Sequence, residues 1–306
     1  RMMQKNGYSA EFAGALTAAS STIGPIIPPS IPLVIYAMVS GASVGALFLG
    51  GVVPGLLMAV ALMLAVHFVA AKRNLPRGEK IALQAYPRIL LRGILPLTLP
   101  VVLLGGIYTG IFTPTEAASV AALYALFLAS IIYRALSWRR LYEILVESSK
   151  ASASVTLIIA SAFVINYAFT AENVPGLVAA WLTGMELSPL GFLLLVNVLF
   201  LVLGCFLDTS IMLLVLVPIL LPTAKLLGID LVHLGVVLAV NMMIGLVTPP
   251  FGMLLFVINA LAGVSLKGMI REAWLFIAVL LVALVLMTVF PQIVLWLPHQ
   301  MGYGGT

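Results

Sequence analysis

Apolar residues run along this chain in long blocks. Val44–Ala71, Ile94–Gly106, Ala117–Tyr133, Ala151–Phe169 and Trp274–Leu297 are nearly uninterrupted. Each is long enough, or nearly so, to cross a hydrocarbon core of about 30 Å as a helix, which takes roughly 20 residues. Alternation with period two is absent, which argues against a β-barrel, whose strands put apolar and polar residues on opposite faces. The blocks predict an all-α polytopic membrane protein. Composition agrees: 63% of residues are hydrophobic and 8% charged, against about 25% charged in soluble domains. So few polar groups cannot cover a surface exposed to water.

The polar positions give the blocks an orientation. All but Lys225 of the 15 Lys and Arg residues fall in four regions: Arg1 and Lys5; Lys72 to Arg92; Arg134 to Lys150; Lys267 and Arg271. Placing these regions in the cytoplasm satisfies the positive-inside rule. Ser40–Gly45, Gly105–Thr115 and Ala171–Pro189, which hold no Lys or Arg, then lie outside. The N-terminal segment is expected in the cytoplasm and the C-terminus in the periplasm. The formal charge of +5 therefore reads as membrane orientation, and nucleic acid is not an expected partner. The single cysteine, Cys205, excludes an internal disulfide.

Residues 189–262 resist simple counting, because their four apolar stretches are each too short to span comfortably. The parity works if the first two form a re-entrant hairpin with its tip at Gly204–Ser210, and the last two form one helix broken near Thr248-Pro249-Pro250. Residues 9–40 read as a second broken helix, interrupted at Gly24-Pro25-Ile26-Ile27-Pro28-Pro29. Gly7, Gly14, Ala18, Ile23, Gly24, Pro28 and Pro29 recur as Gly228, Gly235, Ala239, Ile244, Gly245, Pro249 and Pro250 at a constant offset of 221. The charge pattern sends the first copy outward and the second inward, so the repeat is inverted. Inverted repeats with broken helices at matching places suit alternating access, because two similar halves of opposite orientation can expose one midplane site to either side.

The chain then divides into the later part of a first repeat, 1–70, made of the broken helix 9–40 and a span over 45–70. A basic cytoplasmic connector over 71–92 and scaffold helices of the second repeat over 93–170 follow. The hairpin over 188–224, the broken helix over 228–262 and a last span over 272–297 complete it. The repeat offset puts the partner of the hairpin tip before residue 1, and residue 1 is Arg rather than Met. The expectation is a chain cut or processed at its start, without its first hairpin.

Chemistry concentrates at the breaks. Pro-Pro disrupts the preceding helical turn and frees its carbonyls. Freed carbonyls are costly in hydrocarbon unless something satisfies them. A hard cation such as Na⁺ is one solution, helped by the hydroxyls of Ser20, Ser21 and Thr22 at the first break, Asn241 and Thr248 at the second, and Asp208, Thr209 and Ser210 at the tip. Each feature also has a structural reading. Pro-Pro serves as a kink held by neighbours, Ser20–Thr22 as packing hydroxyls, and Asp208 as the N-cap of the helix that follows. Thr113-Pro114-Thr115-Glu116 reads as a capping box. No metalloprotease, phosphate-loop or nucleophile motif is present, so no enzyme is expected.

These stretches carry a resemblance. Ser21-Thr22-Ile23-Gly24-Pro25-Ile26-Ile27-Pro28-Pro29-Ser30, Gly110-Ile111-Phe112-Thr113-Pro114-Thr115-Glu116-Ala117-Ala118, Leu203-Gly204-Cys205-Phe206-Leu207-Asp208 and Gly245-Leu246-Val247-Thr248-Pro249-Pro250-Phe251-Gly252 resemble the large membrane (DctM-type, M) subunit of tripartite ATP-independent periplasmic (TRAP) transporters. The resemblance runs over nearly the whole chain. It implies an elevator-type, sodium-driven permease of a bacterial or archaeal inner membrane. It also implies a small Q-type membrane subunit, a periplasmic substrate-binding protein and small organic anions (dicarboxylates, sialic acids or other sugar acids) as cargo. Sodium would lie at Ser20, Ser21, Thr22, Gly24 and Pro28, and at Gly204, Asp208 and Thr209 with Asn241, Gly245, Thr248 and Pro249. The substrate would meet Ser21, Thr22, Asp208, Ser210 and Thr248. Three other readings stand beside it: a dicarboxylate or citrate symporter that needs no binding protein, an intramembrane enzyme using Asp208, and a passive channel or scaffold.

Overall fold

A computed structural model gives the fold, and it describes residues 2–73, 75 and 86–303. Of the predicted basic regions, Arg1, Arg77 and Lys80 lie outside the described residues, as do the side chains of Arg88 and Arg92. The described residues are helical and contain no strand. Five helices are long and apolar enough to cross a membrane: Val44–Arg73, Pro114–Ile132, Trp138–Ala171, Thr209–Leu226 and Leu266–Val289. The chain is an all-α polytopic membrane protein. It forms two compact units, Arg1–Gly78 with Val164–Thr306, and Glu79–Phe163.

In chain order, the larger unit opens with α1 (Met2–Lys5), α2 (Ala10–Ser21), α3 (Ile31–Ser40) and α4 (Val44–Arg73). The smaller unit holds α5 (Tyr86–Tyr108), α6 (Pro114–Phe127) with a wide π turn at Leu128–Ile132, and the start of α7 (Trp138–Ala171). The larger unit resumes with the end of α7, then α8 (Val174–Gly184), α9 (Pro189–Gly204), α10 (Thr209–Ile211), a π turn at Met212–Leu216 and α11 (Val217–Leu226). It closes with α12 (Leu231–Gly245), α13 (Met253–Ala262), α14 (Leu266–Val289) and α15 (Gln292–Gln300).

Within the smaller unit, Thr113 caps α6. Its hydroxyl accepts from the Glu116 amide at 3.4 Å, and the Glu116 carboxylate accepts from the Thr113 amide at 2.8 Å. This is the predicted capping box, and Pro114 at the first helical position costs nothing because its missing N–H would have had no partner there. The Thr98 and Tyr124 hydroxyls hydrogen-bond at 2.7 Å between α5 and α6.

The larger unit is built around α12, which is buried continuously from His233 to Gly245. A helix apolar on every side must be surrounded, and here α9, α4, α3 and α14 enclose it. Helix α14 also packs along α2, where Phe12 and Phe276 rings meet at 5.8 Å. Helix α3 lies against α12 and the Met212–Leu216 turn, and α13 lies against α2.

Three stretches gain detail over the sequence reading. The stretch 272–297 is divided, because α14 ends at Val289 and Pro291 starts a new short helix, α15. The segment 171–189 contains α8. The arms of the 188–224 segment are longer than its apolar stretches suggested, because Pro218 and Pro222 sit inside a continuous helical run from Thr209 to Leu226. Proline 218 cannot donate to the carbonyl one turn back, that of Leu214. The Asn166 side-chain amide donates to that carbonyl at 2.7 Å. A neighbouring helix thereby supplies the lost bond, which an apolar surrounding requires.

Candidate functional site

Two helix ends build the site. Helix α12 stops at Gly245, and the chain tightens as Val247 N–H donates to Ile244 O and Thr248 N–H to Gly245 O, both at 3.1 Å. The buried Thr248 hydroxyl donates to Ile244 O at 2.7 Å, so this carbonyl takes two donors. Gly252 adopts φ 53°, a left-handed conformation that glycine reaches without strain. Its turn lets Leu254 N–H donate back to Leu246 O at 3.0 Å, which starts α13 over the end of α12. The Pro249–Pro250 bond is cis, as is Pro28–Pro29 at the other break.

The hairpin tip meets this break. Helix α9 ends at Gly204, and a Cβ placed on Gly245 would come 2.9 Å from the Gly204 carbonyl carbon. The two backbones therefore touch with no side chain between them. Further along the same pair, Asn241 of α12 reaches Asn197 of α9, so the helices run parallel and end together. Two C-terminal helix ends, each carrying about half a negative charge, converge on one place. Beyond Gly204, Asp208 turns the chain, accepting from Ser210 N–H at 2.8 Å as the N-cap of α10. Thr209 is buried behind it, and Ser210 is half-buried. A cavity of about 170 Å³ lies between tip and break, lined by Gly204, Leu207 and Leu246 and by Phe206, Phe251 and Phe256.

An amide chain fixes the polar groups above this crossing. The fully buried Asn241 donates through Nδ2 to Asn197 O at 2.8 Å and to Asn197 Oδ1 at 3.0 Å. Asn197 Nδ2 donates to the Thr288 hydroxyl at 2.8 Å, which donates to Leu284 O at 2.8 Å. A backbone carbonyl only accepts, so the Asn241 group facing Asn197 O must be the NH₂. The Asn241 Oδ1 is then the atom left over, and it is buried with no hydrogen-bond partner among the described residues. A buried acceptor without a donor or cation costs about 1–3 kcal/mol.

At the first break, each predicted hydroxyl returns to its own helix. Ser20 donates to Thr17 O at 3.2 Å, Ser21 to Ala18 O at 2.7 Å and Thr22 to Ala19 O at 2.7 Å. The oxygens keep their lone pairs as acceptors. Ser20, Ser21 and Gly24 are exposed, whereas Thr22 and Pro28 are buried. Ser30 caps α3 and its hydroxyl donates to Pro25 O. The loop between rests on α4, where a Cβ on Gly51 would strike Ile26 O.

The structure thus brings Gly204, Gly245 and the Asn241 amide onto one pair of helices, with Asp208, Thr209 and Ser210 in the turn after Gly204, and Thr248 and Pro249 just beyond Gly245. Among the described residues, no hydrogen bond joins Ser20, Ser21 or Thr22 to the tip or to the second break. Nor do three of His, Cys, Asp and Glu gather among the described residues, so a cation here would rest on carbonyl, hydroxyl and amide oxygens. Sequence reasoning passed over Asn197, Thr288 and Asn166. The signal was present, since each is a polar residue inside an apolar block, where unsatisfied amides and hydroxyls are costly.

A broken helix meeting the tip of a helical hairpin at a small polar core, inside an apolar helical bundle, fits a class: multi-pass α-helical membrane proteins of the carrier type. The chain belongs to the family described as tripartite ATP-independent periplasmic transporter, DctM component, whose model matches residues 1–293. It is 42% identical over 300 residues to the C4-dicarboxylate TRAP transporter large permease protein DctM of Pseudomonas aeruginosa, a match covering 98% of this chain and 70% of that protein. It is 42% identical over 305 residues to the sialic acid TRAP transporter large permease protein SiaM of Vibrio cholerae, covering 99% and 71%. It is 37% identical over 294 residues to the 2,3-diketo-L-gulonate TRAP transporter large permease protein YiaN of Escherichia coli, covering 96% and 69%. The chain is thus a transporter permease component of the inner membrane and not an enzyme.

Proposed function

We propose that this chain carries small organic anions inward by Na⁺-coupled secondary transport, as the large membrane subunit of a three-part system. The observation that carries the coupling is the orphaned Asn241 Oδ1, held in place by Asn197 and Thr288 one turn above the Gly204–Gly245 crossing. A Na⁺ ion would satisfy that oxygen and the two converging negative helix ends together. Asp208, in the turn beside them, belongs with the cation, because a carboxylate repels an anionic substrate. The substrate carboxylate is assigned instead to the break beside Thr248, at the positive N-terminal end of α13. The hydroxyls of Ser20–Thr22 are assigned to a second, repeat-related ion site.

The names of the relatives support the cargo class, since they specify C4-dicarboxylate, sialic acid and 2,3-diketo-L-gulonate. Family membership supports a small Q-type membrane subunit and a periplasmic binding protein as partners. The charge pattern supports a cytoplasmic N-terminal segment and a periplasmic C-terminus. The reading is tested by uptake into liposomes carrying the complete transporter, with the binding protein added outside and a panel of organic acids as solutes. Uptake should need an inward Na⁺ gradient and fall at least tenfold when choline replaces Na⁺. Uptake that persists in choline refutes the coupling, and uptake that ignores the binding protein favours the dicarboxylate or citrate symporter that needs none.

A further inference from the structure

A groove of about 870 Å³ runs between α4 and α14, lined by none of the residues of the candidate site. Leu57, Leu64 and Phe68 line one side and Leu275, Val282 and Leu286 the other. Its walls are open: Phe68 is 70% exposed, Val282 60% and Leu64 53%. On a membrane helix an apolar surface by itself says only that lipid tails surround it. This one differs in two respects, being concave and ending at a pair of cations, Lys72 and Arg73.

Arg73 holds Glu272 at 2.7 Å and lies 5.8 Å over the Phe12 ring. Lys72 enters no ion pair among the described residues. Among the described residues, one positive charge is therefore left over at the mouth of an apolar trough. The positive-inside pattern puts this mouth at the cytoplasmic face, where anionic lipid headgroups lie, each basic residue near that surface contributing about 1 kcal/mol. The helical rise from Lys72 back to Leu57 is about 22 Å, more than the roughly 15 Å depth of one leaflet, so full-length acyl chains fit beneath a headgroup at Lys72.

We propose that this groove is a binding site for an anionic phospholipid, with its acyl chains along α4 and α14 and its phosphate at Lys72 and Arg73. A protein helix filling the same trough would need an acidic group at one end only, a pattern that a phospholipid has by its nature.

The test uses the complete transporter purified in mild detergent, equilibrated with phosphatidylglycerol or phosphatidylcholine and examined by native mass spectrometry. Two variants bracket the site. Lys72→Ala removes the free charge from an exposed position, and Leu64→Trp fills the trough without touching charge. Wild type should retain phosphatidylglycerol at least fivefold over phosphatidylcholine. Lys72→Ala should abolish that preference, and Leu64→Trp should lower retention of both lipids. Equal retention of the two lipids by wild type, or a preference unchanged in Lys72→Ala, overturns the proposal. So does efficient cross-linking from a Leu64→Cys variant to another protein segment, because the trough would then be filled by protein.

Discussion

The Gly204–Gly245 backbone contact yields a prediction with a built-in control. Gly204 and Gly245 face each other, but the space on their two sides is unequal. A Cβ on Gly245 would stand 2.9 Å from the Gly204 carbonyl carbon and 3.0 Å from its Cα and oxygen. A Cβ on Gly204 would find nothing nearer than the Gly245 Cα at 3.5 Å, an ordinary contact. Carbon atoms attract best at about 3.5–4.0 Å, so Gly245→Ala must push α9 and α12 apart by roughly half an ångström or more, and backbone cannot rotate away as a side chain can. Overpacking of this kind costs about 1–3 kcal/mol. Neither glycine has a positive φ, so alanine gains up to about 1 kcal/mol of helix propensity at either position. That gain cancels when the two variants are compared. Gly245→Ala should therefore be less stable than Gly204→Ala by about 1–3 kcal/mol. The assay is thermal unfolding of the two variants of the complete transporter in one detergent, beside uptake in liposomes. Gly204→Ala should melt at or slightly above wild type and keep its uptake. Gly245→Ala should melt lower and lose most of it. Equal melting of the two variants, or a lower value for Gly204→Ala, would refute the reasoning.

Further predictions follow from the polar groups. Asn241→Leu removes both the amide that binds Asn197 and the orphaned oxygen, and should raise the Na⁺ concentration for half-maximal uptake at least tenfold, about 1.4 kcal/mol; an unchanged Na⁺ titration would remove Asn241 from the ion site. Thr288→Val leaves Asn197 Nδ2 without its acceptor and should shift the Na⁺ titration in the same direction by less, measured in the same uptake assay. Asn166→Leu strips the Leu214 carbonyl of the donor that stands in for Pro218 and should destabilise the protein by about 1–3 kcal/mol, read as a lower melting temperature. The Arg73–Glu272 pair is partly exposed, with side chains 48% and 21% accessible, so Glu272→Gln should cost no more than about 1 kcal/mol and leave uptake unchanged.

The sequence by itself determined the class of this protein. Blocks of apolar residues cannot be solvated in water, so they commit the chain to helices in a bilayer. Pro-Pro pairs preceded by glycines commit two of those helices to break, because proline offers no donor and crowds the turn before it. Local chemistry likewise wrote the Thr113–Glu116 cap and the Asp208 cap into four-residue stretches. Only the tertiary structure decided which breaks meet. That Gly204 touches Gly245, and that Asn197, Asn241 and Thr288 form one amide chain, depends on contacts across 41 to 91 positions of sequence. The same holds for Asn166, whose role exists only because Pro218 leaves a carbonyl bare on another helix. Apolar packing is non-directional and leaves many such pairings open. The satisfaction of each buried polar group, which is directional, selects one of them.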